Sequence, residues 1–451
     1  MMDCTLTIQE TSLAAKCIEI ALRNGAQKAR VTLNKSCMDL IGTLNGEIDK
    51  VSHCLDRSIS IALFVDGKYG SFSINRLEES ILEDFIGKAV ATVRLLAPDS
   101  CRDLPDPART AHDALTGREL GLYDESCLSM DADKRLAIAL GASVFKDTAP
   151  DGAWTLISEE GEYSDSVFDS LVLDSQGLSC RHTETSFEYG VEMTVADAEG
   201  NKFSGYWWNS TPRLEGLGAE GIGRRALERA VAQIGPGRVR SGKYRCVIDS
   251  ECASRLLTPL LNALGGYAIQ QNNSFLLDSL GKKVFHEGLT VRDVGRRPGE
   301  TGSRLFDSEG VATCERDIIT GGVVNEYFIN TYMAAKIGMA PTVEDATRPR
   351  VMPWPEAGLD REAIMRMCGD GILVTGFNGG NSNAATGDYS FGIEGFEFKD
   401  GRITRPVREM LMTGNLVTLW NSLLAAGDDA RRCLSRLTPT LAFEAVDISG
   451  E

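Results

Sequence analysis

The chain has 451 residues, 43% hydrophobic and 25% charged, with 47 Lys+Arg against 64 Asp+Glu for a net charge of −17. That length exceeds what one core normally holds and predicts two or three domains, while the balanced composition argues against disorder. So acidic a chain is repelled by a phosphate backbone. The densest basic clusters, Arg224-Arg225 and Arg238-Val-Arg240, are too short to offset that repulsion, which argues against direct contact with nucleic acid.

Thr7-x-x-Glu10 has the form of a capping box, and Leu13, Cys17, Ile20 and Ala21 behind it predict a helix that Asn24-Gly25 stops. From Ala29 to Asn75 the period changes to alternation, with Asn45-Gly46 and Asp66-Gly67 as hairpin turns. Asn75 followed by Glu78 opens a second predicted helix. Prolines 98, 105 and 107 mark a linker, and a shorter helix is expected from Asp131 to Val144. Residues 153–208 return to strand character, with His182, Glu184 and Ser186 alternating on what reads as one solvated face. A helix from Leu214 to Ile234 ends at Gly235-Pro236. Then come a strand from Tyr244 to Asp249, a helix from Ser250 to Leu264, many short strands with Gly- and Asn-rich turns, and a last helical stretch from Asn415 to Ala426.

These elements predict an α+β chain: an N-terminal unit of antiparallel strands with flanking helices (1–125, linker included), a middle α/β segment (126–236) and a β-rich C-terminal domain (237–451). The opening residues lack a basic n-region and an apolar h-region, and no apolar run approaches the roughly 18 residues that span a bilayer, so a cytoplasmic location without membrane contact is expected. The twelve cysteines contain no Cys-x-x-Cys pair and read as small buried hydrophobes.

Several stretches together carry a family resemblance. They are Asp56-Arg-Ser-Ile-Ser-Ile-Ala-Leu-Phe-Val-Asp-Gly67, Ser241-Gly-Lys-Tyr-Arg-Cys-Val-Ile-Asp249, Asn273-Ser-Phe-Leu-Leu-Asp-Ser-Leu-Gly281, Phe306-Asp-Ser-Glu-Gly-Val311, Thr331-Tyr-Met-Ala-Ala-Lys-Ile-Gly338, Thr386-Gly-Asp-Tyr-Ser-Phe-Gly392 and Gly414-Asn415-Leu416. In order and spacing the sequence resembles the TldD/PmbA family, PmbA/TldE type. The resemblance implies a heterodimer in which a TldD subunit carries a His-Glu-x-x-x-His zinc-protease helix and the PmbA/TldE subunit shares the fold without the motif. It also implies proteolysis of small or unfolded peptides, with microcin maturation and antitoxin degradation as examples. The family's older label, modulator of DNA gyrase, reflects genetics around a gyrase poison.

Metallopeptidase chemistry needs zinc on about three protein ligands with an open water position, and a carboxylate to take the water's proton. By the resemblance, the helix 250–264 is where that motif would sit. Here Thr258 and Ala263 stand in place of the two histidines and Pro259 in place of the glutamate. His53, His112, His182 and His286 are the only histidines, and none lies at helical spacing from another. Cys433 falls several residues late for the C-terminal cysteine ligand of the zinc-bearing subunit, judged against Thr438-Pro439-Thr440. No metal site, cofactor or catalytic residue is therefore expected in this chain, with zinc expected in the partner. There is no Gly-x-Ser-x-Gly elbow and no phosphate-binding loop; the glycine-rich stretch 376–383 reads first as a polar turn, and the functional alternative is a loop offering Asn378, Asn381 and Asn383 as peptide contacts. The expectation is a non-catalytic subunit of a TldD/TldE-type peptidase complex, inactive alone, with a homodimer possible in isolation. The alternative is a peptide-binding, chaperone-like homodimeric adaptor that hydrolyses nothing.

Overall fold

Thr7 caps the first helix, α1 (Ile8–Arg23). Its hydroxyl accepts the Glu10 backbone N–H, and the Glu10 carboxylate accepts the Thr7 N–H at 2.9 Å. Three strands follow, β1 (Lys28–Leu44), β2 (Glu47–Val65) and β3 (Lys68–Ile74). Asn45-Gly46 and Asp66-Gly67 turn them, all four residues at positive φ as the tight hairpin requires. Next comes α2 (Glu79–Val93). It starts four residues after Asn75, because Leu77 packs against the core and Glu78 occupies the cap position without a side-chain bond. Ala14, Cys17 and Ile20 of α1 and Leu82, Ile86 and Val90 of α2 meet Val31, Leu33, Ile59, Ile61 and Leu63 in one core.

A short helix, α3 (Ala132–Gly141), is capped by Asp131, whose carboxylate accepts the Lys134 N–H at 2.9 Å. Beyond it β4 (Trp154–Asp174), β5 (Ser179–Asp197) and β6 (Lys202–Thr211) extend the first sheet to six antiparallel strands in the order β3-β2-β1-β4-β5-β6. His182 is buried rather than solvated. It follows Cys180 on a face covered by an apolar cluster that includes Ala114, Leu120, Leu122 and Phe306, and its Nε2 lies 3.1 Å from Glu184 Oε2. The long helix expected from Leu214 contracts to α4 (Ile222–Val231). Gly216, Gly218 and Gly221 interrupt its beginning, Gly218 in the left-handed region at φ +58°.

The structure is a computed structural model describing residues 4–148 and 152–450. It divides into one unit of Met1–Glu228, Arg296–Thr313 and Asn330–Met339 and a second of Arg229–Gly295, Cys314–Ile329 and Ala340–Glu451. The second unit opens with β7 (Gly242–Ile248), α5 (Ser254–Ala263) and α6 (Gly266–Gln270). A small sheet is built from β8 (Val291–Asp293), β9 (Arg316–Thr320), β10 (Val323–Val324) and, after the first unit's α7 (Thr331–Ile337), β11 (Pro349–Val351). Then come α8 (Arg361–Cys368), β12 (Gly371–Ser382), β13 (Asp388–Lys399), β14 (Arg402–Asn415), α9 (Leu416–Asn421), β15 (Leu423–Ala426) and β16 (Leu441–Ser449).

The larger sheet runs β14-β13-β12-β7-β16, and β14 pairs again with β16, so five strands close on themselves with β15 attached to β16. Closure removes most exposed backbone edges. Ile364, Met365 and Cys368 of α8 pack with Val247, Leu373, Phe398 and Ala442. The predicted helix 415–426 ends at Asn421, because Leu423–Ala426 buries Ala425 and Ala426 by pairing with β16; tertiary packing overrides local helix preference. Among the described residues, no helix is long and apolar enough to cross a membrane.

Leu33 is fully buried between sheet and helices. Leu33→Ala is expected to cost about 2–5 kcal/mol, read as a lower urea midpoint for the first unit's unfolding.

Candidate peptide-binding cleft

The site is set by where strand pairing stops. β7 runs parallel to β12 only over Ile372–Val374, while β12 continues to Ser382 with β13 on its other side. Among the described residues, no strand pairs with β12 beyond Val374 on the β7 side, so this stretch presents an open backbone edge.

Past Ile248 the chain turns on Asp249. One of its carboxylate oxygens accepts the Glu251 N–H at 3.0 Å and the other accepts Arg361 Nη1 at 2.8 Å, and Arg229 pairs with Glu251 at 2.8 Å. These bonds fix the entry to α5. Leu256, Leu257, Leu260, Leu261 and Ala263 are buried, whereas Arg255, Thr258, Pro259 and Asn262 recur at i, i+3, i+4 and i+7 and form one open face.

That face and the β12 edge bound a cleft of about 480 Å³, lined also by Cys252, Phe377, Asn381, Ser382 and Phe391. Arg255 spans it: Nη2 donates to Gly380 O at 2.7 Å, with the guanidinium 5.2 Å from the Phe391 ring centroid. Phe391 meets Phe377 edge-on at 5.5 Å and stacks on Tyr389 at 5.1 Å. The Thr258 hydroxyl donates to Ser254 O at 2.8 Å and accepts from Arg436 Nη1 at 3.3 Å.

Of the positions singled out from sequence, Thr258, Pro259 and Asn381 line this cleft and Ala263 does not. Five residues along an α-helix is about 140° of rotation, which carries Ala263 onto the buried side. Asn383 Oδ1 accepts the N–H groups of Ala385 and Thr386, closing the β12–β13 turn, and Asn378 is exposed on the strand with its Oδ1 against Gly392. Arg255, Phe377, Phe391 and Arg436 were not singled out. The helical spacing of Arg255 from Thr258 was the available signal for the first; nothing local in the sequence marks the other three.

The lining does not fit a hydrolytic zinc. Thr258 offers a hydroxyl already bonded on both sides, Pro259 a hydrocarbon ring and Ala263 a buried methyl, with no imidazole among them. Cys252 is no substitute. Burial, and after it the negative charges of Asp249 and Glu251, push its thiol well above the ordinary range, and the Sγ lies 3.5 Å from both Asp249 O and Val374 O. A second cleft, about 540 Å³, crosses the first unit's sheet between Glu160, Glu162, Glu188, Glu192 and Trp208, and its lining has neither imidazole nor thiol.

With its thiol pushed up, Cys252 is expected to react with iodoacetamide at pH 8 more slowly than exposed Cys54 and Cys314 in the native protein, a difference that disappears on unfolding; peptide mass spectrometry reads each site.

Comparison with known proteins agrees with this architecture. Residues 125–234 match the PmbA/TldA metallopeptidase central domain and residues 241–450 the PmbA/TldA metallopeptidase C-terminal domain. A Haemophilus influenzae protein named metalloprotease PmbA homolog is 26% identical over 446 residues, covering 96% of this chain and 94% of that protein. The metalloprotease PmbA of Escherichia coli O157:H7 is 27% identical, covering 92% and 91%. A Bacteroides thetaiotaomicron structure described as a modulator of DNA gyrase is 38% identical, covers 99% of this chain and 100% of its own, and superposes with a TM-score of 0.92. The TldE structure from Thermococcus kodakarensis shares the fold at TM-score 0.83 and 19% identity over 97% of this chain and 100% of its own. The chain belongs to the PmbA/TldD family.

Proposed function

We propose that this chain is the non-catalytic, TldE-type subunit of a cytoplasmic TldD/TldE-type metallopeptidase complex. In this reading a TldD-type partner holds the zinc in its His-Glu-x-x-x-His helix, and the present chain has no catalytic metal of its own. Its part is to hold a small or unfolded peptide for that partner. The observation that carries the reading is the donor set on α5: where hydrolysis needs two imidazoles and a carboxylate, the helix presents Thr258 and Pro259 to the cleft and buries Ala263.

The open edge of β12 supports the peptide-holding role. An extended peptide laid along residues 376–382 would add a strand, gaining main-chain hydrogen bonds that are indifferent to its sequence. Phe377 and Phe391 supply apolar contact, and Asn381 and Asn262 supply amides at the rim. Arg255 can receive a peptide carbonyl or terminal carboxylate in exchange for Gly380 O. The adaptor reading uses the same cleft and differs only in its partner: pull-down from the native cytosol recovers a His-Glu-x-x-x-His sibling in roughly equal amount under the first reading and none under the second.

The purified chain with added zinc is expected to leave an unfolded peptide intact, and cleavage is expected only when the zinc-bearing sibling is present. Robust, chelator-sensitive cleavage by this chain alone would falsify the assignment. In the reconstituted pair, Asn381→Ala is expected to raise the KM for the peptide severalfold, as for the loss of one hydrogen bond worth about 1 kcal/mol, with kcat little changed.

A further inference from the structure

The first unit gathers a different set of donors. Along β1, Cys37 and Asp39 are two residues apart and therefore share a face of the strand. In the β1–β2 register Asp39 stands directly opposite His53, and in the β1–β4 register it stands opposite Asp165, so His53, Asp39 and Asp165 form a row across three strands. The Cys37 Sγ, one Asp39 carboxylate oxygen and a His53 ring nitrogen all lie within 4.8 Å of one another. Tetrahedral zinc, with bonds of 2.0–2.3 Å, needs its donors about 3.3–3.8 Å apart. Small side-chain rotations are enough to close that difference, and His53 is half exposed and free to make them.

The surroundings orient this trio as an outer shell orients metal ligands. His53 Nδ1 lies 2.9 Å from Asp39 Oδ1, while Arg135 of α3 binds the other oxygen, Oδ2, at 2.9 Å. The same guanidinium grips Asp165 through Nε at 2.6 Å and Nη2 at 2.8 Å. Arg135 thus fixes Asp39 by its far oxygen and leaves Oδ1 to face His53. Two carboxylates and one guanidinium leave one net negative charge. A Cys37 thiolate makes it two, which a divalent cation cancels, so the pocket is electrically neutral when filled. A second thiol, that of Cys4, neighbours Cys37 from the segment leading into α1; burial, then Cys4 and the carboxylates of Asp39 and Asp165, push the Cys37 thiol up to about 12, so the ion itself must displace the thiol proton. The donors are mixed, sulfur, imidazole nitrogen and carboxylate oxygen, which suits a borderline-soft ion rather than magnesium or calcium.

We propose that Cys37, Asp39 and His53 form a three-ligand site for a zinc-class divalent transition ion, pinning β1 to β2 beyond the part of the hairpin that α1 and α2 cover. On binding, the Cys37 S–H bond is replaced by a metal–sulfur bond and its proton leaves to solvent. The proton that His53 Nδ1 shares with Asp39 Oδ1 in the metal-free site is exchanged through solvent for one on Nε2, so that the Nδ1 lone pair faces the ion, and an Asp39 Oδ1 lone pair completes the three protein bonds. No redox step is involved. The expectation of a metal-free chain, drawn from the helix spacing of histidines, is revised by this proposal for the first unit alone; the α5 cleft plays no part in it.

The test uses the full chain, kept reduced, stripped with chelator and titrated with Co²⁺ alone. One equivalent is expected to produce thiolate-to-cobalt charge-transfer absorption that Cys37→Ser abolishes. His53→Ala, a half-exposed surface change that leaves the fold intact by circular dichroism, is expected to weaken Co²⁺ binding by at least about tenfold. Absence of the thiolate band in the unmodified chain overturns the proposal, and so does a band whose affinity His53→Ala leaves unchanged. The peptide assay described above is read independently, so failure of the metal site and failure of the subunit reading are separate results.

Discussion

The pairing of β7 with β12 ends at Val374, and the cleft exists because it ends there. Up to that residue the two strands lie parallel within a ring of five that leaves few backbone groups free. Beyond it β7 has given way to the Asp249 turn and α5, and a helix cannot satisfy the edge of a strand. The outward groups of 376–382 therefore face a gap that the Arg255 guanidinium partly fills. Moving the end of β7 by two residues would either close this gap or detach α5 from the ring. The Asp249–Arg361 and Arg229–Glu251 pairs hold it in place.

Much of the fold was legible in the sequence because its signals are local. The Thr7–Glu10 capping box, the Asn45-Gly46 and Asp66-Gly67 turns and the alternation of β1 and β2 each depend on residues within a few positions. What failed depends on distant partners. The stretch 423–426 is helical by preference but pairs with β16, and His182 is covered by residues from 111–123 and 305–306, which no window around position 182 contains. The start of α4 is a local miss, since Gly216, Gly218 and Gly221 were on the page as helix breakers.

The candidate site divides the same way. Thr258 and Pro259 could be placed on a helix and compared with a zinc motif from sequence alone, and the structure sets both on the cleft face. That Ala263 turns inward follows from helical rotation, which is arithmetic rather than tertiary structure. Phe391 and Arg436 lie more than a hundred residues from α5 in the chain and reach it only through the closure of the sheet. The Cys37–Asp39–His53 row is legible once β1 and β2 are paired in register, and a search confined to helical spacing passes over it.

Pro259 has a consequence for how this helix could change over time. A proline ring inside α5 has no N–H for the Arg255 carbonyl, and Ala263 is almost wholly buried. A hydrolytic helix at this position would thus require three codons to change together. One of the new imidazoles would have to enter a buried position, while replacing the proline alone would return a hydrogen bond to the Arg255 carbonyl without completing a metal site. No single substitution on α5 therefore converts the cleft into a zinc site, and each one alone alters only the shape and packing of its wall.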